Sequence, residues 1–420
     1  MPASPSLLIV PARFKTGKLY TQIATTSGGV VLGSSGDFNV TRGTTATRFN
    51  LAGLIESVAS GVPRLDYYTS GGTAGCPALL VEPSGSNLYQ RSEDFTNAYW
   101  SKVNSSVSGN QAVAPDGTST AGKLIMNNGI LPNAANQSGF NRAEVVTSSA
   151  YRFSMFAKSA EFTGFRVREN AVEGSFLDIN LSNGAITNGS VAQFISPLAE
   201  NYGNGWYRVS WTSPTITNLN KYSIRVGSTG DGVSGIFVWG AQVETGSIAT
   251  SYIPTTTAAV TRNADVINVS GAVSGCIGQT EGTVYAEVDL RNIADTKAII
   301  QSDDGTTDNR LILFVGTAPN RIQFLTVAAG ANSVVSGSIA TGINKIAASY
   351  FSGSVQLYLN GSFLASGTPN AFPTVTRNNF SLGTRISTGV YGAQFNDRIR
   401  SAAIYTTRLT AAELAALTTL

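Results

Sequence analysis

Two carboxylates, Glu287 and Asp289, stand two positions apart in the run Val284–Leu290. In a β-strand that spacing puts both on one face. Paired carboxylates can break a glycosidic bond, provided they flank it at about 5–5.5 Å in the retaining geometry. The bland reading, a solvent-facing pair, is preferred, and no catalytic residue is assigned. Asp303, Asp304 and Asp308 lie around Gly305. Hard oxygen ligands on a Gly-bent loop suit calcium, but the spacing is not that of an EF-hand and inter-strand loops are often acidic, so no metal is assigned. Arg385, Tyr391, Gln394 and Asn396 combine donors with an aromatic platform, the pairing a sugar site uses. Tyr350, Tyr358 and Phe395 are further stacking candidates, each better read as core. The chain has no histidine, which removes the usual general base and metal ligand and leaves a Ser or Cys nucleophile without its activator. Cys76 and Cys276 have no metal-site spacing and read as free thiols. Nothing points to a cofactor.

The elements that must position these groups read as β-strands. The chain has 420 residues, only 13% of them charged and 42% hydrophobic, a globular profile rich in Thr, Val and Ile. A net charge of +3 with no basic block disfavours nucleic-acid binding. No window approaches about 20 apolar residues, so no membrane insertion is expected. Tyr151, Phe153, Met155 and Ala157 alternate with Arg152, Ser154, Phe156 and Lys158, and Tyr207, Val209 and Trp211 oppose Trp206, Arg208 and Ser210. Asn360-Gly361 sits between two β-rich arms, a two-residue hairpin signal. Thr410 with Glu413 predicts a capping box for a short C-terminal helix. All four tryptophans fall between residues 100 and 239, which predicts one separate core. The stretch Ile236–Val266 reads as a core strand followed by a polar strap, and Val40–Asn50 echoes its end in composition. The expected fold is all-β: an extended N-terminal attachment region (1–86), a jelly roll (87–268) and a second β-sandwich (269–420).

The segment "WGAQVETGSIATSYIPTTTAAVTRNADV", with "VTRGTTATRFNLAGLIESV", "LLVEPSGSNLYQRSEDFTNAYWSK", "APDGTSTAGKL" and "NGWYRVSW", resembles in order a module of tailed-bacteriophage virion proteins. The middle region is similar to carbohydrate-binding-module jelly rolls. "KIAASYFSGSVQLYLNGSFLA", "FSLGTR" and "IRSAAIYTTRLTAAELAAL" resemble concanavalin A-like, laminin-G-like domains. The sandwich glycosidases of that class carry a Glu-x-Asp-x-x-Glu strand; here the third position is Asn292, so the resemblance implies a lectin-like domain and not an enzyme. It further implies a structural virion protein, a head or tail fibre or appendage, assembled in the host cytoplasm and meeting host-surface glycan weakly. Residues 1–86, poor in apolar side chains, are expected to gain order from other virion proteins or from two further copies in a homotrimer. The alternatives are a polysaccharide-degrading virion enzyme and a decoration protein with no ligand.

Overall fold

The computed structural model describes residues 4–24, 30–32, 37–131, 139–172, 174–271, 274–293, 295–316, 320–387 and 390–420. The chain is all-β, as its composition implies; among the described residues the α-helix is Ala411–Thr418. Thr410 caps it, and Glu413 returns the bond to the Thr410 backbone, so the capping box forms as the spacing dictates. The Asn360-Gly361 turn also forms. Ser354–Leu359 pairs with Ser362–Gly367, and both turn residues take positive φ, 49° and 83°, as this tight hairpin requires. No helix among the described residues is long and apolar enough to cross a membrane.

The largest core lies between two sheets that draw strands from both ends of the chain. The first runs Ser362–Gly367, Ser354–Leu359, Gly342–Phe351, Glu281–Leu290, Asp397–Tyr405, Leu7–Ile9, Gln22–Ala24, Val30–Leu32. Ala74–Val81 pairs with the first residues of Asp397–Tyr405, and Leu65–Tyr68 pairs with Ala74–Val81. The second sheet runs Phe14–Lys15, Lys18–Leu19, Phe38–Thr41, Val266–Ser270, Asn379–Leu382, Lys297–Asp303, Arg310–Gly316, Arg321–Ala328, Ala331–Ser338. Leu7 therefore lies opposite Ile404, Leu79 opposite Ile399 and Val40 opposite Ile267.

This corrects the reading of residues 1–86 as a separate, extended region. Leu7, Ile9, Leu19, Phe38, Val40, Leu65, Leu79 and Val81 are buried in one core with Val284, Ala286, Val288, Ile346, Phe380 and Ile404. Each such side chain contributes about 1.5–3 kcal/mol on burial, and the same chain supplies that burial; no neighbouring chain is needed for it. The boundary near residue 269 shifts for the same reason, because Val266–Ser270 is an internal strand of the second sheet. Gly85–Asn87 pairs with Val260–Arg262, which ties together the two ends of the middle module. That module is an insertion into a sandwich built from both termini.

The middle module is itself a sandwich of two six-stranded sheets. One carries Gly164–Glu169 and Tyr222–Val226 centrally, the other Tyr151–Ser159, Gly235–Thr245 and Trp206–Thr212. Between them pack Trp100, Trp211, Phe153, Phe165, Val209 and Val238. The tryptophans do not share one core. Trp206 and Trp239 point to the opposite face of their sheet and pack with Phe156, Tyr202 and Tyr252 against Phe49, Ile55 and Tyr68 of the N-terminal segment. The spacing explains it: Trp206 and Trp211 are five apart in one strand, so they face opposite ways.

Candidate functional site

The polar strap and the two echoing segments meet where the sandwiches join. Ser247–Ile253 lies across the outward face of the middle sheet. Thr212 Oγ1 donates to the Ser247 carbonyl, Arg208 Nη1 to the Thr250 carbonyl, and Ile253 N–H to Gln242 Oε1. Asn87 Nδ2 donates to the carbonyls of Ala241 and Ile253, fixing the module's two ends. The strap is polar because the face it covers is polar, and each backbone group buried there must find a partner. Beneath it, Asp265 holds Arg42 at 2.9 Å and Arg64, while Arg64 also holds Glu82 at 2.7 Å. Arg291 reaches Asp397 at 3.2 Å and Glu82 at 3.7 Å, Lys297 reaches Asp397 at 2.5 Å, and Arg398 reaches Asp66 at 2.7 Å. These residues come from both termini and from the end of the insertion, so the network buckles the three parts together. The guanidinium groups hold the Glu82 carboxyl far below the carboxylate range, against a burial that alone would raise it.

The acidic pair falls as its spacing predicts. Glu287 and Asp289 share the outward face of the first sheet, with Ala286 and Val288 buried on the other. The helix Ala411–Thr418 covers that face around Tyr285, Tyr358 and Tyr405 and stops short of the two acids. Glu287 is tied to Arg400 at 2.6 Å. Asp289 has neither an ion pair nor a hydrogen bond among the described residues, and burial raises its carboxyl above the ordinary range. Asn292 lends its carbonyl to Lys297 Nζ at 2.8 Å.

The proposed sugar-binding group is only partly assembled. Arg385 is half-buried in the short hairpin strand Arg385–Ser387, its Nε buried without a partner, and its charge depresses the Arg310 guanidinium, itself desolvated first by burial. Gln394 is half-buried. Asn396, at φ 52°, turns inward; it is 5% exposed, its Oδ1 is buried without a hydrogen-bond partner, and its main-chain carbonyl accepts from Arg291 Nη2. A left-handed turn is a position Asn tolerates, and it places the amide away from solvent. The side chain of Tyr391 lies outside the described residues. Tyr350, Tyr358 and Phe395 are core. In the acidic loop, Asp303 accepts from Gly305 N, Asn379 Nδ2 and Gln301 Nε2, and Asp304 from Thr306 and Asn309. Their oxygens cap the turn itself, and among the described residues no three acidic or thiol groups converge as a metal site would require.

Sequence reasoning missed a cleft of about 710 Å³ between the sandwiches. Tyr68, Ser70, Glu200, Tyr207, Asp289, Ile343 and Arg400 line it, with Leu198 and Arg291. Glu200 and Asp289 come from different sandwiches and line the same cleft. No sequence pattern pairs them; only the fold brings them to one space. A second groove of about 510 Å³, with Arg91, Glu93, Asp94 and Asn110, lies on the middle module. There burial raises the Glu93 carboxyl, which accepts from Tyr252 Oη at 3.0 Å.

Residues 261–415 match the family described as the concanavalin A-like lectin/glucanases superfamily. No curated protein matches the chain. Among solved structures, a CBM40 domain of the Ruminococcus gnavus IT-sialidase is 18% identical over 34% of this chain and 85% of its own, with a TM-score of 0.31. Domain 4 of AbnA, an extracellular arabinanase from Geobacillus stearothermophilus solved with arabinotriose, is 18% identical over 41% of this chain and 82% of its own, also at 0.31. A SAP-like pentraxin from Limulus polyphemus is 15% identical over 32% and 68%, at 0.26. These likenesses say nothing about a ligand of this chain.

Proposed function

We propose that this chain is a non-catalytic, glycan-contacting structural protein of a tailed-bacteriophage virion. The observation that carries the glycan part is the lectin-type sandwich matched at residues 261–415, whose acidic strand is disarmed: Glu287 is neutralised by Arg400 at 2.6 Å, and the third acidic position is Asn292. A retaining glycosidase needs two carboxyl groups across the bond, and the position that would complete the family's acidic strand is an amide here, Asn292. In this reading Arg385 and Gln394 make an outer contact, without Asn396, which is buried. Single contacts of this kind are weak, and several copies, in a homotrimer or on a particle, supply avidity. The trimer now rests on that need alone, since the N-terminal strands are paired within their own chain.

The virion part is supported by the ordered resemblance of Val40–Val58, Leu79–Lys102 and Trp239–Val266 to appendage modules. Those segments are also the ones that the fold joins. Val266 pairs with Thr41, and Asn263 N–H donates to Thr44 Oγ1, so the two echoing straps lie side by side. An antibody raised against the purified chain tests this part. Labelling of intact particles at a head or tail position is the expected result; label confined to unassembled protein contradicts it.

A further inference from the structure

We propose that the cleft between the two sandwiches binds a neutral, hydroxyl-rich glycan segment. This rests on the glycan reading above and gives it a site. The volume, about 710 Å³, lies within the range of small-ligand sites, about 300–1,000 Å³, and such sites favour domain junctions. The walls combine the two surfaces a sugar ring presents. Leu198 and Ile343 stand 40% and 46% exposed, one on each side, and offer apolar contact to C–H faces. Glu200 and Asp289 offer carboxylate oxygens that no side chain or backbone donor occupies among the described residues. A carboxylate accepts bonds from neighbouring hydroxyls and has nothing to donate when ionised, so the natural partner is a donor-rich ligand. Tyr68 is a third, independent sign. It lines the same cleft, and its hydroxyl, which has no partner among the described residues, can exchange a hydrogen bond with a sugar hydroxyl.

The charge pattern selects within the sugars. Glu200 and Asp289 disfavour a uronic or sialic acid, and the cations lining the cleft are already engaged: Arg400 with Glu287, and Arg291 with the Glu200 charge, Asp397 and Glu82. A divalent cation is disfavoured because no three acidic groups converge among the described residues. The walls are also pre-set. Trp206, Trp239 and Tyr202 packed against Phe49 and Tyr68, and the Ser251 bonds to Glu82, fix one sandwich against the other, so little ordering remains to be lost on binding.

The test uses the full chain with neutral trisaccharides of glucose, mannose and galactose, and with trigalacturonate, at millimolar concentration by saturation-transfer NMR and titration. Glu200→Ala removes an acceptor, and Ile343→Glu alters an exposed wall residue that the fold does not need. Binding of at least one neutral trisaccharide, with no trigalacturonate binding, and at least about a tenfold affinity loss in both variants is expected. Wild-type affinity in both variants, above all if Arg385→Ala alone weakens binding, overturns the cleft and leaves the glycan reading standing. Preference for trigalacturonate also overturns it. No binding of any trisaccharide overturns the cleft and the glycan reading together.

Discussion

Asp265→Asn should uncouple the two sandwiches. The carboxylate lies 2.9 Å from Arg42 Nη1, contacts Arg64, stands 4.0 Å from Arg262 and accepts the Glu82 backbone N–H at 3.0 Å. Around it the buried network holds six cations (Arg42, Arg64, Arg262, Arg291, Lys297, Arg398) against four carboxylates (Asp66, Glu82, Asp265, Asp397), an excess of two positive charges. Asparagine keeps the shape and raises that excess to three, while turning an amide N–H₂ toward a guanidinium. Breaking one partner of a buried pair costs about 3–5 kcal/mol, because the other charge stays buried; at about 1.4 kcal/mol per decade that is roughly two to four orders of magnitude in the folding constant. The assay is denaturant unfolding followed by tryptophan fluorescence. Trp206 and Trp239 sit at the junction, and Trp100 and Trp211 inside the middle module, so Trp→Phe backgrounds read the two regions separately. The junction tryptophans should unfold at lower denaturant than in the parent, ahead of the inner pair. A loss below about 1 kcal/mol, the scale of an exposed pair, would refute the claim that this network holds the halves together.

Acid should act on the same network through Glu82. Its folded pKa lies below the ordinary 4.5, so its contribution is present above that value and is lost as pH falls toward the folded one; Glu82→Gln should flatten the acid limb of a stability-versus-pH curve, and an unchanged limb would contradict this. Asp289 has the opposite sign. Its folded pKa lies above the ordinary 3.8, so its favourable contribution is complete only below that value and disappears as pH rises through the folded one. Asp289→Asn should therefore raise the melting temperature at neutral pH and leave it unchanged near pH 3, which calorimetry checks. In a fragment ending at residue 269, Leu7–Ile9 and Ala74–Val81 lose their partner strand Asp397–Tyr405 while the middle module keeps its own core, so hydrogen exchange should find the N-terminal strands unprotected and the middle module protected; native-like protection of residues 7–9 and 74–81 would refute it. Cys76 is exposed and Cys276 buried, with burial raising the latter's thiol, so a thiol reagent should label one site in the native protein and two after denaturation.

The elements that read correctly from sequence were those whose signal is local. Alternation in Tyr151–Ser159 and Trp206–Thr212, the Asn360-Gly361 turn and the Thr410 cap each depend on residues within a few positions of one another. The pairing of Leu7 with Ile404 does not. A period of two states which face is apolar and not which distant strand it joins, so the N-terminal strands, taken alone, looked too poor to fold. The division of the tryptophans was legible in the parity of Trp206 and Trp211 and was missed because their clustering along the chain was taken for clustering in space. The strap Ser247–Ile253 was recognised as polar, but its purpose follows only from the buried polar face it covers, with Arg208, Gln242 and Glu244. Asn396 read as a surface donor because loop residues usually are; its left-handed backbone turns the amide inward, while Arg291 Nη2 donates to its main-chain carbonyl. The cleft has no sequence signature, since Tyr68, Glu200 and Asp289 come from three parts of the chain.

The central proposal is that this chain, whose residues 261–415 match a concanavalin A-like family, holds glycan without cutting it. The direct measurement incubates the full-length protein with a panel of intact host-surface polysaccharides and follows, in the same samples, retention of the protein on the polymer and the appearance of new reducing ends. Retention on at least one polymer, with reducing ends no higher than in buffer over the whole course, is the predicted result. Release of reducing ends that rises with protein concentration and is abolished by Asp289→Asn or Glu287→Gln would contradict the account, as would a chain retained by no polysaccharide at all.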